Sequence, residues 1–378
     1  IYEIMEDDAS NIWIGTAWNG INILEKQINY EFFFSDIKGE NLAPVLSIYK
    51  NKNNLFFGLD GNGLTVLDLN SDKVSLLNSE SNASVGGKYI QCITESKNGS
   101  FWLGTFGNGL INFDLKNQSY TKYIHNSDDD SSISFNDVRS IVVDRYDNLW
   151  IASWGGGLNY FNTTTRKFES FRENKTNFNS IGSDNIVVFM VQDNEWLWLA
   201  TFGGGLEHFN TETKQLVHYK YNESDSNSIG SNNILSLLKD SRDNLWIGTS
   251  DGGINLLDIN TGIINRFENE KVMRYQTVTA IVEDNEGNIW FSTKESIFKY
   301  DFSSKEFLNF PFLDNEYHLN SVFKDENGIL YFGTTSGVLR FDPKKIFKKN
   351  LQPEVAITSF KLFNKEIHVG DKDILTKN

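Results

Sequence analysis

The stretch Asp147-Asn148-Leu149-Trp150-Ile151-Ala152-Ser153-Trp154-Gly155-Gly156-Gly157-Leu158 decides the architecture. A polar turn leads into an aromatic, an apolar residue, a small residue and a hydroxyl, and a glycine turn then opens a second apolar run. This is the pattern of two short strands joined by a tight hairpin. Its surroundings complete a unit. Val138 to Val143 is a β-branched run, Asp144 to Asn148 a polar turn, Leu149 to Ser153 a second strand, Leu158 to Phe161 a third and Lys167 to Phe171 an alternating fourth. The segment predicts a four-stranded meander.

The same signature recurs along the chain. It stands at Trp13-Ile14-Gly15-Thr16, Phe56-Phe57-Gly58-Leu59, Trp102-Leu103-Gly104-Thr105, Trp150-Ile151-Ala152-Ser153, Trp198-Leu199-Ala200-Thr201, Trp246-Ile247-Gly248-Thr249, Trp290-Phe291-Ser292-Thr293 and Tyr331-Phe332-Gly333-Thr334, eight copies spaced by 41 to 48 residues. That period is too long for a leucine-rich or ankyrin unit and suits four short strands. One such sheet has little core of its own, whereas a closed ring of them buries every internal face. The predicted fold class is therefore all-β, a β-propeller of four-stranded antiparallel blades. The anchor aromatic would pack between blades, where burying about 150 to 250 Å² is worth at most ~4 to 6 kcal/mol before entropy is subtracted. Six of the nine tryptophans occupy this anchor. The small residue two places later is never larger than Ser, as expected where neighbouring sheets approach closely.

The number of blades has two readings. The eighth copy runs through Val338-Leu339-Arg340-Phe341-Asp342 and shows no fourth strand before Pro353. If Tyr30 to Phe34 supplies that strand, copies two to eight close a seven-bladed ring and residues 1–27 are the last blade of a preceding propeller. Otherwise all eight copies form one ring. Seven is preferred. The corresponding divisions are 1–27, a propeller at 28–350, and a further segment at 351–378.

The acidic turn, the Asn-aromatic-apolar-Gly-Thr strand and the Gly-Gly-Leu turn together resemble the regulator-propeller repeats of hybrid two-component sensors from Bacteroidetes. The likeness is sharpest at 147–158 and at Asp243-Asn244-Leu245-Trp246-Ile247-Gly248-Thr249-Ser250-Asp251-Gly252-Gly253-Ile254. Linkers such as Ser132-Ile133-Ser134-Phe135-Asn136-Asp137-Val138 look like the family's connection between blades. Pro353 to Asn364 resembles the first strand of the immunoglobulin-like domain that, in this family, links propeller to membrane helix, so 351–378 is expected to be the start of that sandwich. The resemblance implies an extracytoplasmic, periplasmic sensor domain of an inner-membrane histidine kinase and response regulator, held by a C-terminal membrane helix beyond this chain. It also implies a homodimer in the full-length protein and an oligosaccharide ligand governing polysaccharide utilisation. This chain itself would then be no enzyme. The alternatives are a surface scaffold binding protein or polysaccharide without signalling, and a propeller lyase or glycosidase.

Bulk properties exclude other classes. A net charge of −15 argues against nucleic acid, whose binding rests on clustered Lys and Arg, and against an anionic membrane surface. No apolar run approaches the roughly 20 residues a membrane helix needs, and Ile1 begins no signal-peptide pattern. An opening without Met, inside a strand-like segment, is the expectation for a fragment. Cys92 has no internal partner and reads as a small buried hydrophobe. The five histidines are dispersed without metal-ligand spacing, so no metal or other cofactor is expected.

Turns between second and third strands, with the linkers between blades, would ring one mouth of the propeller. Flat aromatic faces beside carboxylates and amides suit sugar hydroxyls. Trp18, Asp60, Phe106, Asn108, Trp154, Phe202, Asp251, Lys294 and Glu295 supply these types and are the candidate ligand-binding residues. The competing reading is that the aromatics fill gaps between blades and the glycines only make tight hairpins. Arg139, Arg145 and Asp128 to Asp130 read as solvated or turn-bound.

Overall fold

Alternating apolar side chains and β-branched runs turn each repeat into a four-stranded antiparallel meander, and seven of these form a ring. A computed structural model describes residues 43–71, 73–77, 87–177, 179–191, 195–267, 276–310 and 316–346, with the backbone of strands at 3–6, 12–15, 21–24, 30–33, 360–362 and 365–367. Blades 1 to 6 are sequence-continuous sheets spanning Val45–Leu76, Ile90–Tyr123, Val138–Phe171, Ile186–Tyr219, Ile234–Asn265 and Val278–Phe310. Blade 7 takes three strands from Tyr317–Phe341 and its fourth from Tyr30–Phe33, paired antiparallel from Tyr30 with Phe341 to Phe33 with Val338. The inner strand of blade 7 neighbours those of blades 6 and 1, so the ring closes with seven blades.

The chain divides into two compact units, Asn29–Pro343 being the ring. In the other unit Glu3–Glu6, Ile12–Gly15 and Ile21–Leu24 form a three-stranded sheet, and Phe360–Leu362 pairs with Lys365–Ile367. Most of the predicted sandwich strand at Pro353 to Asn364 lies outside the described residues.

The core is a series of gaps between blades, each filled from both sides. Trp102, Trp150, Trp198 and Trp246 each cluster with residues of the following blade, and none is more than 5% exposed. Phe56 does the same in the first gap and Tyr331 joins blade 7 to blade 1. Small residues follow these anchors because the next inner strand leaves no room. A Cβ on Gly58 would lie 2.4 Å from the Ile90 carbonyl oxygen, and one on Gly333 2.6 Å from that of Val45.

The turn acids hold the local backbone. Asp240 Oδ1 accepts the backbone N–H groups of Arg242 and Asn244, each at 2.9 Å, and its Oδ2 takes the Trp246 indole N–H at 2.9 Å. Asp284 serves Trp290 in the same way at 2.8 Å. One carboxylate thus fastens both the turn and the anchor.

Candidate functional site

One end of the ring is built by repeated backbone geometry. Gly155 and Gly157 have φ of 85° and 70°, a region that glycine enters without steric cost. This aims both of their N–H groups at the Asp184 carbonyl of the next linker, at 3.0 and 2.9 Å. The turns at Gly61, Gly107 and Gly203 grip Lys88, Asn136 and Asn232 likewise. The residue before each glycine is held too: Asp60, Phe106, Trp154 and Phe202 donate their N–H groups to the carbonyls of Pro44, Tyr89, Asp137 and Asn185. Turn side chains are therefore presented around a mouth on a rigid collar.

The candidate residues fall into separate groups. Trp154 and Phe202 come together with ring centroids 5.5 Å apart. Phe106 pairs instead with Tyr89 of the blade 1 to blade 2 linker, at 6.1 Å and nearly perpendicular. Phe106 and Phe202 are 54% and 37% exposed, unlike the anchor aromatics. Asn108 donates its N–H to Thr105 Oγ1 within its turn. Asp251 is exposed and accepts from Ser250 Oγ at 2.8 Å, and Lys294 and Glu295 are exposed on the blade 6 turn. Trp18 lies outside the described residues.

Three further residues join this mouth. Each inner strand begins with a β-bulge, whose unpaired residue is Leu46, Gln91, Arg139, Val187, Leu235 or Thr279 in blades 1 to 6. Gln91 Nε2 donates to Asp137 Oδ1 at 2.6 Å, and Arg139 Nη2 meets Asp137 Oδ2 at 2.8 Å. The Arg139 guanidinium lies 5.2 Å over the Trp154 ring. Gln91, Asp137, Arg139, Trp154 and Phe202 thus form a continuous arc over blades 2 to 4. Arg139 is neither free in solvent nor bound to a turn. The available signal was the register: long polar Gln91 and Arg139 stand where blades 1, 4 and 5 have Leu46, Val187 and Leu235 and blade 6 has the small Thr279.

Across the mouth the bulge of blade 7 is enlarged, with His318 to Ser321 standing opposite Gly333 alone. Asn320 Nδ2 reaches past blade 6 to the Leu235 carbonyl of blade 5 at 2.8 Å. Burial lowers the pKa of His318, while Asp60 and Glu316 pull it back up. Burial pushes the Cys92 thiol up to about 12, in keeping with a packing role. Among the described residues no group of three His, Cys, Asp or Glu could hold a metal ion, and no helix is long and apolar enough to cross a membrane.

Residues 132–155, 228–251 and 273–295 match the two component regulator propeller family model. The matches fall on blades 3, 5 and 6 of the ring, each covering a linker, an inner strand and the start of the next hairpin. Among curated proteins, histidine kinase P4 of Formosa agariphila is 32% identical over 111 residues, which is 28% of this chain and 8% of that protein. Among solved structures, the extracellular domain assigned to the hybrid two component system BT4673 of B. thetaiotaomicron aligns with a TM-score of 0.68 at 18% identity, over 97% of this chain and 50% of that one. Virginiamycin B lyase from Staphylococcus aureus aligns at 0.61 and 14% identity, over 82% and 98%. At these identities the two structures share the fold. The chain spans half of the BT4673 domain, and its alignment with the kinase covers a small part of that protein.

Proposed function

We propose that this regulator propeller is the extracytoplasmic ligand-sensing domain of a hybrid two-component histidine kinase, and that it takes an oligosaccharide at the mouth over blades 2 to 4. One observation carries the ligand reading. Aromatic rings that the repeat elsewhere uses as core stand out of the core here, Trp154 against Phe202, beside the Gln91–Asp137–Arg139 line. Aromatic faces with fixed polar groups at their edge suit the apolar face and hydroxyls of a sugar ring. The repeat matches and the kinase relative support the signalling half.

In this reading residues 1–27 end a preceding propeller and 351–378 begin a linking sandwich. A membrane helix follows it, and the whole protein acts as a periplasmic-facing homodimer without catalysis in the propeller. Calorimetry of the chain with a polysaccharide-derived oligosaccharide panel tests the ligand. Saturable binding is expected for at least one member, weakened about tenfold or more by Trp154→Ala. Binding untouched by both Trp154→Ala and Phe202→Ala, or cleavage of the oligosaccharide, overturns the reading. An open reading frame beyond Asn378 that lacks a membrane helix and kinase core overturns the signalling half.

A further inference from the structure

Blade 3 brings two arginines to the mouth, one on each side of the turn that carries Trp154. Arg139 is the bulge residue of its inner strand, where blades 1, 4 and 5 have Leu46, Val187 and Leu235. Arg172 follows the outer strand, in the register where blade 2 has Ile124 and blade 4 has Lys220. Its Nη2 donates to the Gly155 carbonyl at 2.8 Å, so it is fastened to the turn itself.

Each arginine is paired with an acid that lies behind it. The Arg139 side chain is 26% exposed and that of Asp137 5%, and for Arg172 and Asp184, 2.7 Å apart, the figures are 46% and 25%. The other oxygens of these carboxylates are engaged as well: Asp137 Oδ1 accepts from Gln91 Nε2 at 2.6 Å, and Asp184 Oδ1 from the Glu173 N–H at 2.7 Å. A molecule entering the mouth over blade 3 therefore meets guanidinium groups before it meets carboxylates. Arg139 has donors left over. Among the described residues its one hydrogen bond runs from Nη2 to Asp137, and its Nε is enclosed without an acceptor, which leaves the N–H groups of Nη1 for a ligand. Asp137 at its edge and the Trp154 ring 5.2 Å beneath it hold the guanidinium in place, so that little of its freedom is left to lose on binding.

We infer that the mouth selects an oligosaccharide bearing an anionic substituent, the carboxylate of a uronic acid or a sulfate ester, and that Arg139 takes this charge with Arg172 beyond the turn. The inference rests on the mouth being the oligosaccharide site, as proposed above. A sugar hydroxyl both donates and accepts, and the acceptors of the two acids are already engaged. An anionic oxygen only accepts, and its bonds to a guanidinium are about twice as strong as neutral ones. The charge of −15 is spread over the whole chain. Asp60, Asp251 and Glu295 stand on the turns of blades 1, 5 and 6, away from blade 3, and exposed charges beyond about 8 Å are largely screened at physiological salt.

The test is calorimetry of the chain with short oligosaccharides of galacturonate, glucuronate, mannuronate and guluronate against their methyl esters, and with sulfated galactan fragments against their desulfated forms. At least one anionic member should bind about tenfold or more tighter than its neutral form, and the gap should narrow as salt is raised. The arm that responds tells carboxylate from sulfate. Arg139→Gln should bring the charged and neutral forms to equal affinity, Arg139→Lys should keep part of the preference, and Arg172→Gln should reduce it by a smaller factor. Melting curves check that each variant folds. Neutral forms that bind the wild type as tightly as every anionic one overturn this inference and leave the oligosaccharide reading standing. Absence of binding by any member, charged or neutral, overturns both. A preference that survives Arg139→Gln in full places the charge recognition elsewhere and overturns the assignment.

Discussion

Blade 3 and blade 7 are the same sheet made in two ways. Blade 3 folds from consecutive residues, Val138 to Phe171, and its inner strand carries a one-residue bulge at Arg139. Blade 7 takes its outer strand from Tyr30–Phe33 and carries the enlarged bulge at His318 to Ser321. The first is a local structure, the second a long-range clasp that also reaches past blade 6 to blade 5. The difference teaches that one repeat can serve as an ordinary wedge or as the lock of the ring, according to what its edges are given.

Deleting residues 30–33 should have the largest effect. It leaves blade 7 with an unpaired third strand and an open seam, and the cooperative melting transition of the ring should be lost or fall by at least about 10 °C in calorimetry. A ring that melts as before without these residues would erase the distinction between the two blades. Next come the anchors. Trp150→Ala and Tyr331→Ala should each cost about 3 to 5 kcal/mol in urea unfolding, since both fill a gap core at 5% exposure or less. A much smaller value for Tyr331 would show that the seam is loosely packed.

Smaller effects separate the bulges. Asn320→Gly keeps the backbone freedom that φ of 54° uses but loses the bond to Leu235, for a cost of about 1 kcal/mol. Asn320→Ala adds the left-handed strain of about 1 kcal/mol more, and equal values for the two would remove the backbone argument. The smallest effect is on pH. The folded pKa of His318 lies below its unfolded value, so the unfolded chain takes up the proton first. Its contribution is complete above the unfolded pKa and is lost as pH falls through the folded one. His318→Gln should flatten the decline of stability on acidification below about pH 6.5.

The repeat made the fold legible because burial repeats with it. Val138–Val143, Leu149–Ser153 and Lys167–Phe171 are strands with the bounds read from the sequence. The choice between seven and eight blades hung on a strand far from its partners, and the pairing of Tyr30–Phe33 with Val338–Phe341 decides for seven. The mouth was less legible. Its turns are visible as glycine patterns, but Asp137, Gln91 and Arg139 come from linkers and bulges, where one extra residue redirects a side chain that alternation would place elsewhere. The enlarged bulge of blade 7 left no mark because it breaks the periodicity by which everything else was found.

The clasp also dictates the order of assembly. The strand at Tyr30–Phe33 leaves the ribosome before any of blades 1 to 6, yet its partner is made only after all six. Until then it is an unsatisfied β edge waiting on a nearly complete ring. Circular permutants of the ring alone, residues 29–343, reopened between blades 6 and 7, would place the two halves of the clasp side by side and relieve that wait.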